Sequence, residues 1–148
     1  DNFLSGFIGM HTHNNRKYIA AIEKTELAKI FERRNKNISD PLKKYKLISK
    51  KDLESIKWKP YLKRGGADQY YRPIMEALDW DPESIPIYDI PNNVPFEKEG
   101  IVISGVSSRL AVRYMPEGCY WDSNKAIGFI VIAVFLPLVS LLNTLGTL

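Results

Sequence analysis

The two histidines of the sequence, His11 and His13, stand two positions apart near its start. Imidazole nitrogens are good zinc ligands, but a closed site needs further ligands, and no Cys or carboxylate lies beside them in the sequence. The single cysteine, Cys119, excludes an intrachain disulfide framework and a cysteine-based zinc or iron–sulfur site. We therefore expect no metal site and no histidine-based catalytic centre.

Four carboxylates fall in a proline-rich stretch over 79–95: Asp79, Asp81, Glu83 and Asp89. Paired carboxylates can act as general acid and base when they share a pocket, but nothing in the sequence brings these four together. The sequence also has no glycine-rich phosphate loop and no Ser–His–Asp set. We expect a solvated acidic surface, no cofactor and no enzymatic activity.

A basic run over 43–64 is interleaved with the aromatic residues Tyr45, Trp58 and Tyr61. This composition suits single-stranded nucleic acid, anionic lipid headgroups or an acidic neighbouring protein. We do not expect nucleic acid to be the partner. The net charge of +4 combines a basic part (1–66), an acidic part (67–125) and an uncharged end (126–148), which is typical of a chain that contacts several surfaces.

The uncharged end over 126–148 predicts one transmembrane helix, because a helix of this length crosses a hydrocarbon core of about 30 Å. Its apolar residues surround the helix on all sides, as expected in lipid. Pro137, Ser140 and Asn143 are candidate positions for packing against a neighbouring helix.

The residues before this predicted helix set its orientation. Arg109, Arg113 and Lys125 precede it, and no Lys or Arg follows it, so the N-terminal part is expected on the matrix or cytosolic side. Tyr120 and Trp121 stand where an aromatic belt belongs. All five residues are candidates for contact with lipid headgroups or for the membrane interface.

The fold class that these patterns predict is mainly α with extended irregular segments and without a compact enzyme core. The chain divides into a basic soluble segment (1–78), an acidic segment with a proline-rich strap (79–125) and the transmembrane helix (126–148). Periodicity predicts an amphipathic helix over 15–36 and short helices over 50–56 and 72–78, and Ser49 and Asp52 resemble a capping box before the first of these short helices. Turn residues predict an extended strap over 79–95 that lies along a partner and a small β-hairpin over 101–114.

Several short pieces of the sequence resemble one family. Lys43-Lys44-Tyr45-Lys46-Leu47, then Pro60-Tyr61, then the glycine-rich piece over 65–73, and finally Arg113-Tyr114-Met115-Pro116 resemble the ASHI-type accessory subunit of mitochondrial NADH:ubiquinone oxidoreductase (respiratory complex I). The resemblance implies a chain without catalytic residues that braces the membrane arm, with its basic part on the matrix side.

We therefore expect a non-catalytic, single-pass accessory (supernumerary) subunit that stabilises a respiratory complex of the mitochondrial inner membrane, with complex I preferred. Its expected partners are other subunits of the complex and anionic phospholipid such as cardiolipin. Two alternatives stay open at this point. One is an accessory subunit of another respiratory complex or of ATP synthase, and the other is a membrane-tethered binding module for RNA or an imported protein.

Overall fold

Extended strands, rather than helices, form most of the regular structure in the described part of this chain. The computed structural model describes residues 4–63, 71–105, 110–123 and 126–131. The elements in chain order are β1 (Leu4–Ile8), α1 (Asn15–Tyr18), β2 (Ile19–Ile22), α2 (Glu26–Asn35), β3 (Lys46–Ile48), β4 (Trp58–Leu62), β5 (Glu76–Asp79), β6 (Gly100–Ser104), β7 (Val112–Met115), β8 (Tyr120–Trp121) and β9 (Ala126–Val131). The expected mainly α fold is wrong, because these strands pair into two sheets.

The first sheet has four strands in the order β1-β9-β6-β7, and every neighbouring pair is antiparallel. Strands β6 and β7 form the predicted hairpin, which is confirmed. A two-stranded hairpin alone is only marginally stable in water. Strand β9 supports it by pairing along the other side of β6, and β1 pairs in turn with β9.

Strand β9 corrects the prediction of a transmembrane helix that begins at Ala126. A strand is favoured here because β9 pairs on both sides, with β1 and with β6, which satisfies its backbone hydrogen-bonding groups. Ile127 and Ile130 are β-branched and suit a strand. The residues named as helix-packing candidates, Pro137, Ser140 and Asn143, lie outside the described residues, as do Arg109 and Lys125.

In the part of the chain that the structure describes, none of the helices has the length and apolarity needed to cross a membrane. The longest, α2, has ten residues. The predicted single-pass topology in the mitochondrial inner membrane, with the N-terminal part on the matrix side, depended on a helix beginning at Ala126. That prediction is therefore wrong for this structure, in which a strand begins there instead.

The second sheet has five strands in the order β3-β2-β5-β4-β8, with parallel pairing at its two edges and antiparallel pairing between. The central strands β2 and β5 are buried at every position. Continuous burial indicates a strand that is covered on both faces. On one face α2 packs through Ala28 and Phe31 against Ala21, and on the other Leu53 and Ile74 pack against the sheet.

Strands interrupt one of the predicted helices and replace part of another. The helix predicted over 15–36 is interrupted by β2, and α2 starts after it, where the Thr25 hydroxyl accepts a hydrogen bond from the Ala28 backbone N–H. The helix predicted over 72–78 is also wrong, because β5 begins at Glu76. The predicted capping box is confirmed: Ser49 and Asp52 start a short 3₁₀ helix over Lys50–Glu54.

The proline-rich strap over 79–95 lies on the core of this chain itself, whereas a partner was expected to supply that surface. Tyr88 is buried, and its hydroxyl donates a hydrogen bond to the Asp79 carbonyl at 2.6 Å. The ring of Trp80 packs on that of Tyr120, with 4.5 Å between the ring centroids. Ile90 packs against the same cluster.

Trp121 and Arg113 join the two sheets. Trp121 belongs to the five-stranded sheet, and its indole lies so close to Gly128 of the other sheet that a Cβ there would be 2.4 Å from the ring. Arg113 belongs to the four-stranded sheet, and its guanidinium donates to the carbonyls of Arg72 and Pro73 at 3.0 and 2.9 Å. Both side chains are fully buried, so the junction between the sheets is closed to solvent.

Candidate functional site

A cleft of about 300 Å³ opens beside α2, on the face of the five-stranded sheet that this helix covers. Its walls come from α1, α2 and the segment before β3, and its floor comes from β5. Cations, aromatic rings and one buried carboxylate line it, together with Asn15 and the aliphatic side chains of Ile19 and Leu27. We call it the arginine cleft and define it by Arg16, Phe31, Arg34, Tyr45, Lys63 and Glu76.

The arginines of the cleft are placed by two short helices on either side of β2. Helix α1 carries Arg16 and is capped by Asn14, whose side chain accepts a hydrogen bond from the Lys17 backbone N–H at 3.1 Å. Helix α2 is held down by Phe31, which is buried against Ala21. Arg34 follows Phe31 by three positions and therefore lies on the same side of the helix.

Tyr45 is fixed in the cleft by the side chain of Asn35, at the end of α2. The Asn35 amide donates to the Tyr45 carbonyl at 2.9 Å and accepts from the Tyr45 backbone N–H at 2.7 Å. The Tyr45 ring then packs against Phe31, with 4.5 Å between centroids. Because both backbone groups of Tyr45 are held, the position of the ring does not depend on a ligand.

Two guanidinium groups lie over this fixed ring. The Cζ atom of Arg16 is 4.8 Å, and that of Arg34 is 5.6 Å, from the Tyr45 ring centroid, which is the range of cation–π attraction. A guanidinium held in this way keeps N–H donors for another partner. In the described ranges, neither arginine nor Lys63 forms an ion pair with a carboxylate.

Glu76, at the floor of the cleft, is 7% exposed, and its charge acts on the buried Arg113. Burial lowers the pKa of Arg113, and the negative charge of Glu76 opposes that change. The carboxylate is therefore compensated within the core. The accessible walls of the cleft stay positively charged.

The basic run over 43–64 does not act as one surface in the structure. Tyr45 and Lys63 are its contributions to the cleft. Three other lysines of the run are paired with carboxylates from the acidic part of the chain, at N–O distances of 2.8 to 3.3 Å: Lys46 with Asp79, Lys57 with Asp81, and Lys59 with Glu97. Part of the charge separation seen in the sequence is thus neutralised inside the fold.

The described candidates for the membrane interface lie in the core. Arg113 is 1% exposed, Trp121 is 0% exposed and Tyr120 is 8% exposed. Burial, together with the charge of Glu97, raises the pKa of the Tyr120 hydroxyl to about 12. These three side chains pack in the core between and beside the two sheets, and in this structure they are not accessible to a lipid headgroup.

Arg16 and Arg34 were not singled out as site residues from the sequence. They lie at the two ends of the stretch over 15–36, which was interpreted as one solvated helix. Nothing local distinguishes them from the other cations of that stretch. The fold brings them together because strand β2 separates α1 from α2, so that the two helices lie side by side at the cleft. A helical periodicity over 15–36 does not predict this strand.

A second group of side chains meets where the segment before α1 faces the proline-rich strap. His11, His13 and Asp89 each offer one ligand atom, and these atoms lie within 4.8 Å of one another. His13 Nε2 is 2.8 Å from an Asp89 carboxylate oxygen. The carboxylate that the sequence did not place beside the histidines is thus supplied by the fold.

The arginine cleft presents cationic donors to solvent. Two guanidinium groups lie over the Tyr45 ring, and the ammonium group of Lys63 lines the same cleft. Comparison of the sequence with protein-family models gives no match, and comparison with curated proteins gives none either. The function is therefore inferred from the residues of this chain.

Proposed function

We propose that this chain is a non-catalytic binding module and that its arginine cleft receives an acidic segment of a partner protein. The observation that supports this is the pair of guanidinium groups held over Tyr45, with no carboxylate of the described chain bound to either. Guanidinium groups bind carboxylates through two parallel hydrogen bonds, which are stronger than bonds between neutral groups. The two arginines and Lys63 together suit a segment with several negative charges.

An acidic protein segment fits the cleft better than a nucleic acid does. Binding of single-stranded nucleic acid uses open aromatic faces on which bases stack. The Tyr45 ring already contacts Phe31 and two guanidinium groups, so it does not offer such a face. The volume of about 300 Å³ is at the lower end for ligand pockets and suits one or two side chains of a partner.

The proposal keeps the expectation of a non-catalytic subunit that contacts neighbouring subunits. Membership of a respiratory complex, with complex I preferred, stays a prediction. Native electrophoresis of a mild detergent extract tests it, with the chain located by mass spectrometry. Migration with NADH dehydrogenase activity would support complex I, and migration of the chain alone would contradict membership of any complex.

The cleft itself is tested with a fluorescein-labelled peptide of alternating Glu and Gly residues, titrated with the full chain and followed by fluorescence anisotropy. We expect Arg34→Glu to weaken binding about tenfold or more, because a hydrogen bond between charged groups contributes about 1.5–3 kcal/mol. The matched control is Arg33→Glu. It makes the same charge change one position away on α2, at an exposed residue that does not line the cleft.

Two outcomes would contradict the proposal. Equal weakening by Arg34→Glu and Arg33→Glu would show that the peptide responds to net charge only. Binding to vesicles containing cardiolipin, combined with no binding to the peptide, would assign the cations to anionic lipid instead.

A third variant, Asn35→Leu, tests the support of the Tyr45 ring. It leaves the charge unchanged and removes both hydrogen bonds that hold the Tyr45 backbone, and we expect it to weaken peptide binding severalfold.

A further inference from the structure

We propose that His11, His13 and Asp89 form a binding site for a divalent transition-metal ion, with Zn²⁺ as the ion that the ligand set suits best. The site is separate from the arginine cleft and uses none of its residues. It goes beyond the proposed binding of an acidic segment, because it would hold a cation.

The backbone brings His11 and Asp89 face to face. The His11 N–H donates to the Asp89 carbonyl at 3.0 Å, and the Asp89 N–H donates to the His11 carbonyl at 2.9 Å. The two residues form an isolated antiparallel bridge. Residues paired in this way stand directly opposite each other, and their side chains project to the same side.

His13 joins this side because of the residue between the two histidines. Thr12 is 1% exposed and faces inward, so its neighbours on either side face outward. His13 has a left-handed backbone conformation, with φ of 60°, immediately before the start of α1. The two imidazole rings lie edge to face, with 4.6 Å between their centroids.

The positions of the ligand atoms fit a zinc ion after small movements. Zinc bonds of about 2.0–2.2 Å in a tetrahedral arrangement separate the ligand atoms by roughly 3.3 Å. In this cluster the atoms lie within 4.8 Å of one another, and the side chains of His13 and Asp89 are 52% and 74% exposed. Rotation of exposed side chains can therefore close the site, and water can take the open position.

The backbone behind the cluster is anchored in the core. The Met10 N–H donates to the Trp121 carbonyl at 2.9 Å, and the Met10 carbonyl accepts from the Ser123 N–H at 2.8 Å. Met10 itself is fully buried. Only side chains must move on binding, so little conformational entropy of the backbone is lost.

An ion pair between His13 and Asp89 explains two of the three side chains but not the third. It gives no role to the ring of His11, which is held opposite Asp89 by backbone pairing. Two imidazoles and one carboxylate together form a ligand set that divalent zinc and iron use in proteins. A bound ion would link the segment before α1 to the proline-rich strap.

The test is isothermal titration calorimetry of the full chain with zinc chloride, on protein made without a polyhistidine tag and freed of metal by a chelator. We expect one Zn²⁺ per chain. We expect His11→Ala, His13→Ala and Asp89→Asn each to weaken binding about tenfold or more. Glu83→Gln is the matched control, because it removes another exposed carboxylate of the same strap.

The exposure of the three side chains means that these variants should fold, which far-ultraviolet circular dichroism checks. Zinc should also raise the Tm of the unaltered chain more than that of Asp89→Asn at the same zinc concentration, since binding to the folded state stabilises it in proportion to affinity. An absence of zinc binding would overturn the proposal, and so would unchanged affinity in Asp89→Asn. Arg34→Glu should leave zinc affinity unaltered, so failure of this site and failure of the arginine cleft are distinguishable.

Discussion

The two sheets of this fold bury their strands in different ways. In the five-stranded sheet the central strands β2 and β5 are buried at every position, because helix α2 covers one face and side chains of the following segments cover the other. In the four-stranded sheet burial alternates along β6 and β7, so one face is buried and the other is open. The arginine cleft lies on the sheet that is covered, beside its helix.

The open face of the four-stranded sheet is apolar, whereas a half-exposed antiparallel sheet usually has polar residues outward. Its cross-strand neighbours include Ile8, Ile127, Ile103 and Val112, one from each strand. Ile8 is 63% exposed and Ile127 is 39% exposed. Charge and apolar surface are therefore separated in this chain: cations lie beside α2, and the open face of the four-stranded sheet exposes aliphatic side chains.

The largest effect is expected at the junction between the sheets. Trp121→Ala should lower the free energy of unfolding by about 3–5 kcal/mol, because it removes a fully buried indole that touches both sheets. Urea unfolding followed by fluorescence measures it. Tyr71→Ala, which removes an aromatic ring that is 72% exposed, should cost less than about 1 kcal/mol. A loss in Trp121→Ala as small as the loss in Tyr71→Ala would show that the sheets do not depend on this contact.

A second variant, Arg113→Met, tests the polar contacts of the same junction. It leaves the carbonyls of Arg72 and Pro73 without their donor and removes the positive charge beside Glu76. We expect a loss of about 3 kcal/mol in the free energy of unfolding, since breaking a buried set of charges leaves one uncompensated. The same urea titration measures it. A variant as stable as the original chain would mean that the junction is held by apolar packing alone.

The pH dependence of the free energy of unfolding tests the burial of Cys119, which lies in the same cluster as Trp121. Burial raises the pKa of its thiol from 9.0 to about 11. The folded state therefore favours the protonated thiol, and this contribution is complete below about pH 8 and is lost as the pH rises through about 11. Between pH 8 and 10.5 we expect a loss of about 1–2 kcal/mol in the free energy of unfolding. Cys119→Ala, which lacks the thiol, should lose less over the same interval, and an identical loss would contradict the burial of this group.

The smallest effect is expected on the open face. Ile8→Lys should change the free energy of unfolding by no more than about 0.5 kcal/mol, because the side chain is mostly exposed. The measurement is again urea unfolding of the full chain. A loss above about 2 kcal/mol would contradict the exposure of this face, because it would mean that the side chain of Ile8 is covered.

Local signals in the sequence predicted the parts of the fold that depend on neighbouring residues. The Ser49–Asp52 capping box and the hairpin of β6 and β7 are such parts, and both are confirmed. The proline-rich strap over 79–95 was expected to lie along a partner, and it lies on a surface of this chain instead. What could not be deduced is that this surface belongs to the same chain.

Predictions that depended on distant pairing failed. Residues 126–131 are apolar without interruption, and such a run suits a lipid-facing helix and a central strand equally. The choice depended on β1 and β6, which pair with it from far away in the sequence. The same holds for the sites: Asp89 reaches His11 only through a long-range bridge, and Arg16 meets Arg34 only because β2 separates their helices.

The pairing of β1 with β9 has a consequence for the order of folding. Leu4 is opposite Val131, so a strand made at the beginning of synthesis waits for one made near the end of the described chain. At about 5–20 residues per second, β1 spends roughly ten seconds without its neighbour on the ribosome. During that time an apolar strand edge is exposed, and such edges pair readily with other chains. Slow folding follows from pairing over so long a stretch of sequence.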